Sequence, residues 1–529
     1  MSADPNLLAV PILLPLVTAS LILVIARWGG RRRIALQRHM VSLSVLLNLG
    51  VALFLLQTTL AGQRVVLQMG QWPAPFGITV YADALSALML TLTGVVAAAV
   101  LPFAMATIDY HRERMGFYPL FLVLLMGVNG AFLAGDLFNL YVFFEVLLMA
   151  SFVLLTLGGR LRQTSGGIRY VVLNLLASTV FLAGAGITYG TLGTLNMAHI
   201  AQRMDSAPQG VQLLLAGLLL VAFGSKAALF PLFFWLPSSY HTPPPAVTAL
   251  FGGLLTKVGV YALFRTFPLF FPGLLQDWQP FLLAVAGFSM LVGALGALAQ
   301  PTIRRILSFH IVNHVGFMLM GLAVATSGNR LVVGFGLGAA ILYLMHHMIV
   351  KTALLMAGGA AELDSGSGRL DRIGGLASRR PLLAGLYFLA AISLAGIPPF
   401  SGFISKLGLL QSVLDGGHWL IAGVTVLVSV LTLINVMRIW QEGFWGPYSQ
   451  PRRIPRKLLT APQERWLVLA PIGLLLALSL AIGLYGEPAF QLSLRTATQV
   501  LDRESYIQAV HPLSMDQVSE PLVPQEGLD

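Results

Sequence analysis

Fourteen stretches of this chain are each long and apolar enough to cross a lipid bilayer, and nothing else in the sequence limits the fold as strongly. A spanning helix needs about 20 mostly apolar residues, and inside hydrocarbon its backbone polar groups must be satisfied within the segment itself. The stretches lie near 6–26, 40–60, 79–106, 116–135, 137–157, 168–190, 211–236, 243–267, 279–299, 306–326, 331–358, 384–414, 419–440 and 466–484. The predicted fold is an all-α polytopic membrane protein. Charged residues make up only 10% of the chain, against about a quarter in soluble domains, which excludes one large soluble domain. The absence of cysteine excludes a disulfide scaffold, a thiolate metal site and a cysteine nucleophile. No small-residue cleavage site follows the first apolar stretch, so it reads as a retained helix.

Basic residues give the orientation. The odd-numbered connections carry 22 Lys and Arg, led by Arg31, Arg32 and Arg33 after the first span and Arg452, Arg453, Arg456 and Lys457 after the thirteenth. The even connections and the C-terminal tail carry 6, Arg265 among them. Cytoplasmic loops are the Lys- and Arg-rich ones, which places the odd loops in the cytoplasm and both termini outside. The net charge of +11 is thereby spread over loops as topology, and a nucleic-acid role is excluded. The polar tail after Gly486 reads as a short amphipathic helix with a mobile end, too short for a lateral strapping helix.

Four of the five lysines remain inside apolar segments: Lys226, Lys257, Lys351 and Lys406. All 27 arginines fall in loops or at helix ends. A buried lysine can lose its proton, whereas arginine stays charged in any protein environment. A path that loads and unloads protons can therefore use lysine. Glu145, in LYVFFEVLLMASF, shares this depth, and Asp83 stands near the start of the third span. Ionisable groups in a membrane are costly and usually mark ion routes; one acid and one lysine could equally be a static ion pair. For Asp83 the plainer reading is a helix start at the outer interface.

Two spans are interrupted. Gly224 and Ser225 precede Lys226, and Pro231 follows it; Gly396, Pro398 and Pro399 precede Lys406. Proline removes a backbone donor and frees nearby carbonyls, and broken helices in corresponding halves are a mark of repeat-built transporters. Histidines extend the set. His347 and Lys351 are four residues apart on one helix face, as are His310 and His314. His241, in SSYHT between the seventh and eighth spans, either links the flanking lysines or caps a turn. No zinc motif, phosphate loop, nucleophile elbow or dinucleotide fingerprint occurs, so no covalent chemistry, metal or cofactor is expected.

The runs FFWLPSSYHTPPPAVTALFGGLLTKVGVYALFR, LFNLYVFFEVLL, RRILSFHIVNHVGFM, HHMIVKTALL and GIPPFSGFISK resemble the antiporter-like subunits shared by Mrp-type cation/proton antiporters and respiratory complex I. The likeness covers roughly residues 5 to 485. WLPSSYHTPPP, Lys406 and GFWGP are similar to the D-type branch of the Mrp antiporter subunits in particular. The resemblance implies two inverted five-helix repeats, 116–267 (spans 4–8) and 279–440 (spans 9–13), each with one broken helix. Residues 1–115 would hold spans 1–3, 466–484 span 14 and 485–529 the tail. It also implies a proton relay in which Glu145 pairs with Lys226 and protons pass through Lys257 and Lys351 to Lys406. His347, with His310 and His241, would lie on the hydrated axis, whereas His314 and Asn313 depart from the family pattern. The implied function is proton translocation within a multisubunit Na+/H+ antiporter of the cell membrane, with other membrane subunits, protons, a monovalent cation and the lipid bilayer as partners. The alternative is a proton-pumping subunit of a redox-driven complex, an NADH:quinone oxidoreductase or a membrane hydrogenase.

Overall fold

A computed structural model describes residues 4–26, 31–326, 330–447 and 462–510. All fourteen apolar stretches are helical. The spans are α1 (Val10–Ile25), α2 (Arg31–Leu60), α3 (Ala84–Thr107), α4 (Phe117–Leu133), α5 (Leu137–Thr156), α6 (Leu161–Leu192) and α7 (Gln209–Ala227, continued by Trp235–Ser239). They continue with α8 (Pro245–Phe270), α9 (Gln279–Leu298), α10 (Ile303–Ala323) and α11 (Arg330–Ser365). The last are α12 (Pro381–Ala395, continued by Ser401–Asp415), α13 (Trp419–Ile439) and α14 (Pro462–Leu484). Twelve helices among the described residues are long and apolar enough to cross a membrane unbroken. The fourth, at 17 residues, and the broken twelfth complete the set.

The even connections meet at one end of the bundle. There β1 (Val65–Gln68) pairs antiparallel with β2 (Thr79–Ala82), Val80 bridges to Ala134, and Asp136 bridges to Asn196. The odd connections meet at the other end, where Thr302 bridges to Arg369 and Arg304 binds Glu362 through two hydrogen bonds of 2.6 and 2.7 Å. This alternation is what an unbroken series of crossings requires. In cross-section, α8 and α11 are wholly enclosed by protein and α10 and α3 nearly so, while the other long spans expose one apolar side. A helix enclosed by protein need not be apolar all round: α8, α10 and α11 are the least apolar of these long spans, and they hold most of the buried ionisable groups.

One expectation needs correction. Arg265 lies within α8, not in a connection, and it is buried with its guanidinium on Asp83 at 2.7 and 2.6 Å. Hydropathy falls at Arg265, but the carboxylate of Asp83 satisfies the charge and the helix runs on to Phe270. Asp83 still starts α3, accepting from the Ser86 N–H at 3.0 Å. The tail carries the amphipathic helix expected after Gly486. Gly486–Leu501 forms a 16-residue amphipathic helix, α15, followed by α16 (Arg503–Val510). α15 lies along α11, and Gln499 joins the ends of α2 and α3 by accepting from Ala84 N and donating to Thr59 O, both at 3.0 Å. Residues from 511 onward, where a mobile end was expected, lie outside the described residues.

Candidate functional site

The first half of α7 ends at Ala227 because Ala228 takes the left-handed conformation, φ 65°. Pro231 then denies the following segment a backbone donor. The groups freed by the break find other partners. Trp235 Nε1 donates to Ser225 O at 2.9 Å, and Phe230 N donates to Ser289 Oγ at 2.9 Å. Lys226 occupies the last turn before the break. Its Nζ donates to Ser178 Oγ at 2.7 Å and Asn174 O at 3.3 Å, both on α6, and lies 5.6 Å from the Phe144 ring centroid. Glu145 follows Phe144 on α5, and its Oε1 is enclosed without a hydrogen-bond partner. No ion pair joins Glu145 to Lys226 among the described residues: in this arrangement α6, not the carboxylate, holds the ammonium.

Gly259 of α8 allows the closest approach to this break. A Cβ there would stand 2.5 Å from the Ala227 backbone nitrogen and 2.9 Å from the Lys226 carbonyl carbon. Backbone cannot move aside as a flexible side chain can. Gly259→Ala should lower stability by about 1–3 kcal/mol through overpacking and displace Lys226 from α6. A thermal melt of the purified protein measures this, and an unchanged melting temperature would show that α8 does not pack there.

The second break has the opposite layout. The first half of α12 ends at Ala395, Gly396 turns left-handed at φ 90°, Pro398 and Pro399 follow, and the helix resumes at Ser401. Lys406 lies behind this break and reaches back, its Nζ donating to Ala395 O at 2.8 Å. The Phe317 ring of α10 lies 5.6 Å from the same nitrogen. One lysine thus precedes its break and the other follows its own.

Between the breaks stand the enclosed helices α8, α10 and α11. Lys257 Nζ donates to the Gly252 carbonyl of its own helix. Lys351 Nζ is enclosed with no hydrogen-bond partner. Lys257 lies close enough to Lys351 and His347 to act on both electrostatically, and Lys351 likewise on His310 and His314. The rings of His314 and His347 are 4.8 Å apart, and those of His310 and His314 6.0 Å apart. Both ring nitrogens of His310 and of His347 lack hydrogen-bond partners. These side chains form a file of buried polar groups without protein hydrogen-bond partners in an otherwise apolar bundle.

The structure therefore groups Lys257, Lys351, His347 and His310 at the centre, with Lys226 and Glu145 at one break and Lys406 at the other. His241 stands apart. Its Nδ1 is 2.9 Å from Pro237 O, one turn earlier, which is the turn-capping alternative. Burial, with Arg304 and Arg305 nearby, pushes its pKa down to about 4, so it is neutral at physiological pH. Two residues outside the sequence-based set belong to the cluster. His314 hydrogen-bonds through Nδ1 to the Tyr343 hydroxyl and touches His347. His346 meets Ser401 Oγ at 2.8 Å. The signal for His314 was present in its i, i+4 spacing from His310; for His346 nothing in the sequence marked the partner helix.

The family model described as NADH:quinone oxidoreductase/Mrp antiporter, TM, matches residues 134–432. The chain is 42% identical to the D subunit of the Na(+)/H(+) antiporter of Alkalihalophilus pseudofirmus over 512 residues, 96% of this chain and 99% of that protein. Among solved structures, a chain of the Mrp complex from Dietzia sp. DQ12-45-1b superposes with a TM-score of 0.86 at 34% identity, over 96% of this chain and 100% of that one. A chain of the membrane-bound sulfane sulfur reductase, an archaeal respiratory membrane complex, superposes with a TM-score of 0.85 at 26% identity over the same shares.

Proposed function

The chain belongs to the NADH:quinone oxidoreductase/Mrp antiporter family of membrane proteins, and we propose that it is the proton-translocating subunit of a multisubunit Na+/H+ antiporter. It is a transporter subunit and not an enzyme. The observation that carries this reading is the file of ionisable side chains on enclosed helices, running between two lysine-bearing helix breaks. Such groups have no structural use in a bundle that packs by apolar contact, and they supply stepping sites for a proton. Glu145 and Lys226 form the entry pair. When Lys226 leaves Ser178 it approaches the carboxylate and holds its proton; when it returns, the proton is free to move on. Lys257, Lys351, His310 and His347 carry it along the axis, and Lys406 releases it across the second break. His241 at most positions the loop.

The placement of the breaks five spans apart, in α7 and α12, supports a repeat organisation of residues 116–267 and 279–440, flanked by 1–115, 466–484 and the tail 485–529. The loop charges support a cell-membrane location with both termini on the outer side. The exposed apolar sides of the peripheral helices suit lipid and further membrane subunits. The fold likeness to a respiratory membrane complex favours one second reading, a redox-driven proton pump.

One preparation separates the two. The native complex is extracted in mild detergent, its subunits are identified by mass, its visible spectrum is recorded, and it is reconstituted into vesicles carrying a pH gradient. The antiporter reading expects several small hydrophobic partners, a colourless spectrum and collapse of the gradient when Na+ is added. Flavin or iron–sulfur absorbance with hydrophilic subunits, and no response to Na+, would assign the chain to a redox pump.

A further inference from the structure

Beside the α12 break, three hydroxyls and an imidazole form a hydrogen-bonded chain that the lysine file leaves unused. His346 Nδ1 and Ser401 Oγ are 2.8 Å apart, Ser401 Oγ and Ser479 Oγ 2.8 Å, and Ser479 Oγ and Ser393 Oγ 2.9 Å. The four residues come from α11, the two halves of α12, and α14, and all are fully buried. A serine inside a membrane helix commonly gives its hydroxyl to the carbonyl one turn back, as Ser405 does to Ser401 O. Ser393, Ser401 and Ser479 do not; their hydroxyls bond to one another and to His346. Every link can therefore reverse its donor and acceptor, because each hydroxyl both gives and accepts.

The chain has suitable ends. His346 packs against Tyr343, with ring centroids 5.8 Å apart, and Tyr343 hydrogen-bonds His314 of the central cluster. At the other end Ser393 lies in the last turn of the half-helix whose terminal carbonyl, Ala395 O, receives Lys406 Nζ. We infer that His346, Ser401, Ser479 and Ser393 form a proton wire between the central histidines and Lys406, making α14 a participant in transport. The inference rests on the proton-translocating function proposed above. A proton arriving at His346 Nε2 releases the one on Nδ1 to Ser401; Ser401 passes its own hydrogen to Ser479, and Ser479 to Ser393. Ser393 gives its hydrogen to the unprotonated Lys406 amine once that amine swings from Ala395 O to the Ser393 hydroxyl. Each oxygen ends with the one hydrogen it began with, the imidazole returns to neutrality with its hydrogen on Nε2, and rotation of the hydroxyls together with return of that hydrogen to Nδ1 resets the chain.

The test uses the whole complex in proteoliposomes, with turnover measured per assembled complex. Ser479→Ala should lower proton turnover about a hundredfold, the low end of what a positioned proton-transfer group contributes, with the half-saturating Na+ concentration unchanged. Ser479→Thr keeps the hydroxyl and should transport close to the wild type. If Ser479→Ala lowers the yield of complex but each assembled complex transports normally, the serines only tie α14 to the break and the inference fails. Should Ser479→Ala not assemble, Ser393→Ala removes the end of the wire; full turnover in that variant would overturn the inference. A wild-type complex that moves no protons in response to Na+ would instead remove the function on which the inference depends.

Discussion

Lys226→Ala should abolish Na+-driven proton movement while the complex still assembles. The alanine removes the ammonium that now rests on Ser178 and Asn174 and that, at the α7 break, acts electrostatically with Glu145. What it leaves behind is mild for the fold, because a serine hydroxyl and a backbone carbonyl on α6 can take water. The loss of transport should reach about a hundredfold or more, as expected for a group that must accept and release the proton. Lys226→Arg sharpens the test. Arginine supplies the charge and the donors but cannot deprotonate, so it should fail as alanine does. Native electrophoresis measures assembly and vesicle pH dyes measure transport. Recovery with arginine would mean that Lys226 serves as a fixed charge and would reject its place in a relay.

Asp83→Ala should cost about 3–5 kcal/mol of stability, because it strands the Arg265 charge inside the bundle. The guanidinium now has the carboxylate on one side and the rings of Tyr81, Tyr261 and Tyr506 around it, each centroid 5.6 Å from its carbon. Tyr506 belongs to α16, so the pair also fastens the C-terminal helices to α3 and α8. Protease sensitivity of residues 486–510 and a thermal melt report the loss. The double substitution Asp83→Leu with Arg265→Met should restore much of it, since an apolar pair of similar bulk carries no desolvation cost. A single variant as stable as the wild type would show that the pair is not enclosed.

The same pair shows where reading from sequence stops. Asp83 and Arg265 are 182 residues apart, and each by itself looks like an interfacial charge at a helix end. Only their meeting between α3 and α8 lets a charged residue sit well inside a spanning helix. His314 and Tyr343 are a similar case. The i, i+4 spacing puts His314 on the face of His310, but which helix that face meets depends on the packing of α10 against α11. Ser479 had no sequence mark at all, being one serine in an apolar span.

What the sequence alone determines here is the class of fold, the number and parity of the crossings, the two breaks and the four enclosed lysines. Those follow from local quantities: the apolar length needed to span a bilayer, the missing donor of proline, and the bias of arginine towards loops. Tertiary structure decides which groups are partners. It places Lys226 on α6 rather than on Glu145, joins Lys406 to Ala395 across its break, and seats α15 along α11. The reason is physical. Hydrophobicity sets which segments enter the membrane, but inside it the lipid tails are as apolar as the helices, so their neighbours are selected by close packing and by the few polar groups that must find one another.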